Sequence, residues 1–165
     1  MKKEIVLTEE GLVGFIEAFS EVAKKSNLTK GDVVIFSGCP GTCFPTASNF
    51  AFAIQDLGPV MYWVPDADLR EARKLEMVEN VGIQAGGKEE LPGKAKLVLL
   101  TPGLLAIDFE NIEKMLQEAL GKDGKLVGET PIPNFFRDVG WEGRLPFNYI
   151  IELGLSKVEV FELKK

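Results

Sequence analysis

The chain contains no histidine. That excludes Ser-His-Asp triads, Cys-His dyads and His-ligated metal sites at one stroke. Any general base has to be Asp, Glu, Lys, Tyr or Cys. Cysteine occurs only as Cys39 and Cys43. Two thiols without imidazole are too few for a structural zinc site, and an iron–sulfur cluster needs more thiolates. No metal is expected, and the sequence identifies no cofactor. Basic runs are absent as well: 19 Lys and Arg are scattered among 25 Asp and Glu, for a net charge of −6. Binding nucleic acid rests on neutralising phosphates, so nucleic acid is not an expected partner. The same balance argues against an anionic membrane surface. No apolar run approaches the length of a membrane span. The start, MKKEIVLTEEG, offers only Ile5-Val6-Leu7 before acids, too short for a secretory signal. The expected location is the cytoplasm. Glutamine is scarce (Gln55, Gln84, Gln117) while Lys and Glu abound, a bias seen in hyperthermophile proteins.

What is present reads as one domain over 1–165, long enough to bury a core without staples. Helical spacing runs from Glu9 to Lys25, with Thr8 as the expected N-cap. Asp32–Phe36 is a short unalternated apolar run, the mark of a strand buried on both faces. A small-residue helix is expected over Thr46–Leu57 and a strand over Val60–Val64. A third helix is expected over Leu69–Val78, where Asp68 and Glu71 have capping-box spacing. Gly82–Ala85 reads as a short strand and Lys96–Thr101 as a strong one. Asp108 starts a further helix, Lys125–Gly128 is another strand, and Tyr149–Leu153 and Val158–Leu163 are late strands. Alternating strands and helices predict a three-layer, Rossmann-like α/β fold. Its sheet is expected to be mostly parallel, with helices on both faces and antiparallel C-terminal edge strands.

In such a sheet ligands bind at the carboxyl ends of the strands, where strand order reverses. The expected reversal lies between the first strand and the Lys96–Thr101 strand. That places SGCPGTCFPT, residues 37–46, and the Pro102–Ala106 loop over a site. Ser37, Gly38, Gly41 and Thr42 are the expected ligand-binding residues on one side. Asp66, Thr101, Gly103, Glu129 and Thr130 face them from other strand ends. The loop leads into a helix N-terminus, whose free amides favour an anion. The dinucleotide glycine fingerprint fits poorly, because Phe36 stands at its first glycine and Pro40 intrudes. Asp66 lies where a ribose-binding acid would, although acids there are commonly helix caps.

The thiols are spaced C-x-x-x-C, which is not the thioredoxin spacing. Three readings stand: inert packing, a disulfide bracing the turn, or a reactive pair. In the last, Cys43 is the expected thiolate at the helix start and Cys39 its resolving partner. The spacing favours bracing. Phe135, Phe136, Trp141 and Phe147 either cover the sheet or meet a second copy, and mutual burial in a homodimer is the expectation.

The segments VVIFSGCPGTCFPTASNFAFAI, LVLLTPG and ETPIPNFF resemble an uncharacterised family of archaeal proteins. The resemblance implies an archaeal source and carries no catalytic residues onto this chain. The leading functional expectation is a small anionic or nucleotide-like ligand over the Ser37–Thr46 loop. The alternatives are a thiol redox enzyme or sensor using Cys39 and Cys43, and a non-enzymatic oligomeric interaction protein.

Overall fold

Why the first helix forms is visible in one stripe. Phe15, Phe19, Val22 and Ala23 recur every three or four residues and are buried, while Lys24 and Lys25 occupy its negative end. This helix, α1, is Gly11–Lys25 in a computed structural model that describes residues 3–154 and 160–162. Its capping position is Glu10 rather than Thr8, and no side chain caps it. The following strand, β1 (Val33–Gly38), is buried along its whole length. It is followed by α2 (Cys43–Ile54), β2 (Val60–Pro65), β3 (Arg73–Val78), β4 (Gly82–Lys88) and β5 (Ala95–Leu100). Then come α3 (Phe109–Ala119), β6 (Leu120–Thr130), the short α4 (Phe135–Asp138) and β7 (Tyr149–Glu152).

The seven strands form one sheet in the order β4-β3-β2-β1-β5-β6-β7. β2, β1, β5, β6 and β7 run parallel, each to its neighbour. The chain leaves β1 towards β2 on one side and returns from β5 towards β6 and β7 on the other. Strand order therefore reverses between β1 and β5, as expected. Right-handed crossovers in opposite directions put α2 and α3 on opposite faces. The α1 and α2 face buries Phe19, Phe36, Phe50, Leu97, Leu99 and Val127. The α3 face buries Ile35, Val98, Leu100, Ile112 and Leu126.

Three expectations are corrected. The C-terminal edge strand β7 is parallel to β6, with Val127 opposite Tyr149. The antiparallel edge is the other one, where β3 pairs β2 and β4 pairs β3. It occupies the place of the helix expected over 69–78. Asp68 does cap a turn, accepting the Arg70 amide at 3.0 Å, but the turn closes after Glu71. From there only Leu75 of the strand is buried, so hairpin pairing outweighs helical spacing. The signal overlooked is Glu79-Asn80-Val81-Gly82, a hairpin turn with Asn80 at φ +59° and Gly82 at φ +102°. Of the last expected strand, over 158–163, residues 160–162 have no regular structure and the rest lie outside the described residues.

The third correction concerns the aromatic stretch. Phe136 and Trp141 are buried against the α3 face, with ring centroids 5.7 Å apart and Phe147 5.0 Å from Phe136. Arg144 covers Phe109 from outside, 3.4 Å above the ring centroid. Phe136 and Trp141 thus complete the chain's own core, and Phe135 and Phe147 are half-buried beside them. Among the described residues no helix is long and apolar enough to cross a membrane.

Candidate functional site

At the reversal point a row of residues crosses the carboxyl end of the sheet. Gly38 ends β1 opposite Pro65. Thr101 follows β5 and bonds the same strand, its amide 3.0 Å and its hydroxyl 3.3 Å from the Ser37 carbonyl. Glu129 lies one residue past the Leu100–Gly128 pair, beside Thr101, and opposite Ile151 on β7. Strand alternation fixes the face. Thr101 follows Leu99 by two and Glu129 follows Val127 by two, and both leucine and valine point to the α2 side. Thr101 and Glu129 are buried there.

Above this row stand the two thiols. α2 begins earlier than expected, at Cys43, because Pro45 is accepted within a first turn. Cys43 is therefore the first helical residue, and its side chain turns inward to Thr101. Cys39 precedes the helix and leans back over its start. The sulfurs are 3.1 Å apart and not bonded to each other. Thr42 holds the N-cap position without capping; its hydroxyl lies 3.3 Å from the Cys39 sulfur. Two missing side chains make the packing possible. A Cβ on Gly38 would stand 2.6 Å from that of Cys43, and one on Gly103 would stand 2.4 Å and 2.5 Å from the two sulfurs. The Pro102–Gly103 backbone thus lies directly on the thiol pair.

The environment splits the pair. The Thr42 hydroxyl, together with the Cys43 thiol and amide, holds the Cys39 thiol below its ordinary range, against desolvation and the charge of Asp66. Burial pushes the Cys43 thiol up, opposed by its bond to Thr101. The helix-start argument had assigned the thiolate to Cys43. The structure lowers Cys39 instead, because Cys43 turns under the loop while Cys39 receives the groups at the helix start. Beside Thr101 the Glu129 carboxyl, 3% exposed, is pushed up to about 7 by burial.

The other expected residues divide clearly. Ser37 points to the α3 face and donates to the Val64 carbonyl at 2.8 Å. Thr130 also points there, and its oxygen accepts the Ile132 amide at 3.0 Å. Asp66 is exposed at φ +51° beyond β2, its amide bonded to the Gly38 carbonyl. Gly41 takes φ +98° and supplies the reversal of the loop. Gly38, Gly103, Thr42 and Thr101 gather with the thiols, Glu129 lies on the far side of Thr101, and Ser37 and Thr130 point to the other face. Among the described residues no group of three or more His, Cys, Asp or Glu forms a metal-binding cluster.

One feature of the site was not anticipated. Beside the thiol loop an open groove of about 270 Å³ is lined by Pro40, Gly41, Phe44, Trp63, Arg73 and Ala85. Trp63 forms its floor, with Phe44 edge-on at 5.4 Å. Arg73 stands opposite Trp63 across the β2–β3 pair. Arg73 falls within the helix expected over 69–78, a pattern that does not place it against Trp63.

Known proteins share this architecture. A protein of unknown function from Methanothermobacter thermautotrophicus superposes with a TM-score of 0.81 and 27% identity, covering 100% of both chains. An uncharacterized protein of the same organism is 35% identical over 125 residues, 73% of this chain and 78% of that one. A hypoxanthine phosphoribosyltransferase from Trypanosoma cruzi reaches a TM-score of 0.43 at 15% identity, over 84% of this chain and 64% of its own. At that score the likeness says nothing about what this chain binds. The model of a family described as uncharacterized proteins conserved in archaea (DUF2124) matches residues 10–156, and the chain belongs to that family.

Proposed function

We propose that this protein is a thiol–disulfide oxidoreductase whose working pair is Cys39 and Cys43. The observation that carries this is the pair itself: two free sulfurs 3.1 Å apart, one half-buried at a helix start and the other buried beneath it. Thiol–disulfide exchange needs an accessible thiolate and a second thiol behind it. The Cys39 thiolate attacks one sulfur of a substrate disulfide, forms a mixed disulfide and expels the other half as a thiolate. Cys43 then gives up its proton and attacks the Cys39 sulfur. A Cys39–Cys43 disulfide forms and the second half leaves as a thiolate. The substrate gains two electrons and the protein loses two. A dithiol reductant closes the cycle by reducing the new disulfide. Glu129, buried beside the Thr101 to which Cys43 bonds, is the carboxyl we assign to the Cys43 proton.

The anionic or nucleotide-like ligand expected over the Ser37–Thr46 loop is the reading displaced to second place. The groups at the helix start that would hold an anion act on the Cys39 sulfur. A ligand there would have to displace that sulfur.

At pH 7 we expect iodoacetamide to label Cys39 at least about tenfold faster than Cys43 in the native protein. Mild oxidation by a small disulfide should then remove two hydrogens from the protein mass and protect both residues. Peptide mass spectrometry before and after reduction reads both results. Equal labelling of the two, or labelling of neither until the protein unfolds, would refute the assignment.

A further inference from the structure

We infer that the groove beside the thiol loop selects carboxylate-bearing disulfides, with Arg73 as the residue that reads the carboxylate. The inference rests on the redox reading and names the class of substrate for the same site. Three observations carry it.

First, the groove adjoins the thiol loop. Pro40 and Gly41, its near wall, directly follow Cys39. The Trp63 ring tip would lie 3.1 Å from a Cβ on Gly38, a point only 2.6 Å from the Cys43 Cβ. The Trp63 ring thus packs behind the thiols, and the groove opens beside the residues that follow Cys39. Second, the walls are apolar and aromatic, with Phe44 edge-on to Trp63. Such walls take planar or apolar groups and shield a charge from water. Third, the far end carries a cation without an acid. Arg73 donates one N–H of Nη1 to the Gly86 carbonyl at 3.0 Å. Among the described residues it has no carboxylate within ion-pairing distance, in a chain of net charge −6 where Arg70, Arg137 and Arg144 all have one. Its remaining donors suit a planar carboxylate in a two-point contact. Groove and guanidinium together fit a small disulfide with an apolar or aromatic body and a carboxylate at its end. One half stays on Trp63 and Arg73 while Cys39 takes its sulfur.

Two probe disulfides test this on the reduced protein in stopped flow. 5,5′-Dithiobis(2-nitrobenzoate) carries carboxylates, and 4,4′-dithiodipyridine is an uncharged aromatic disulfide. The readout is the ratio of their second-order rate constants. Arg73→Gln should lower that ratio about five- to tenfold, the size of one partly buried charged contact. Arg73→Lys, which keeps the charge, should hold the ratio within about threefold of the parent. Arg70→Gln, outside the groove, should leave both rates unchanged. An unaltered ratio in Arg73→Gln would overturn the carboxylate assignment while leaving the thiol pair intact. The pair itself is read in the same reaction: two thiolates released with no probe group left on the protein mass support it, and fewer than two released or a retained probe group refutes it. Cys43→Ser should release one thiolate and stop as the mixed disulfide.

Discussion

Gly38→Ala will cost about 3 kcal/mol of folding stability, the upper end of what overpacking a buried position usually costs. The added Cβ would stand 2.1 Å from the Thr101 hydroxyl oxygen, 2.6 Å from the Cys43 Cβ and 3.1 Å from the Trp63 ring. None of these has free room to retreat. Thr101 is tied to the Ser37 carbonyl by its amide. Cys43 is the first residue of α2, and Trp63 is packed under Phe44. For a chain of this size the loss corresponds to a Tm lower by about 6–12 °C. Gly143→Ala is the control. It is exposed, has nothing within 4 Å of its Cβ position and has no positive φ, so its effect should stay within about 0.5 kcal/mol. Urea unfolding of both variants measures the difference. Equal stability of the two would mean that the strand end yields, and that the thiols are not held against it. The same variant should also lose the split between the thiols, because the clash pushes Cys43 away from Thr101.

How far the sequence carries can be judged at this strand end. Val33–Phe36 is legible as a buried strand because no polar residue interrupts it, and the reversal beside Lys96–Thr101 follows from chain order. The loop over that point is legible for the same reason. What lies across from it is not. Nothing in the spacing of Leu69, Ala72 and Leu75 distinguishes a helix from a turn followed by a strand, because the deciding interaction is pairing with β4, where Leu75 faces Ala85 ten residues on. Missing β3 meant missing Arg73, and with it the groove. The direction of β7 was misjudged for a related cause: an edge strand after a loop-rich stretch carries no local sign of parallel or antiparallel pairing, which the path over Phe136 and Trp141 decides. The thiols show a third limit. The sequence places Cys43 in the first turn of the helix, but its burial comes from Gly38, Thr101 and Gly103 packing against it, which spacing does not show.

Glu129→Gln will stabilise the protein by about 3 kcal/mol at pH 8 and by almost nothing at pH 4. The Glu129 carboxyl has a pKa of about 7 in the folded protein against an ordinary 4.5, the rise coming from burial. Below pH 4.5 both folded and unfolded chains hold the proton, and glutamine replaces a neutral acid of nearly the same shape. Between pH 4.5 and 7 the folded chain keeps a proton that the unfolded chain releases, so stability falls as pH rises. Above pH 7 the loss is complete: 7 − 4.5 is 2.5 pH units, at about 1.36 kcal/mol each. Urea unfolding of parent and variant at pH 4 and pH 8 checks it; parallel pH dependence of the two would place the carboxylate in water rather than buried beside Thr101. The activity should move the other way. If the buried carboxyl takes the Cys43 proton, Glu129→Gln leaves the first thiolate release from a disulfide probe unaltered and slows the second by about tenfold or more. A buried carboxyl beside Thr101 that weakens the fold at neutral pH and has no ion pair among the described residues is what the proposed proton transfer requires, whereas a packing role alone would favour the glutamine.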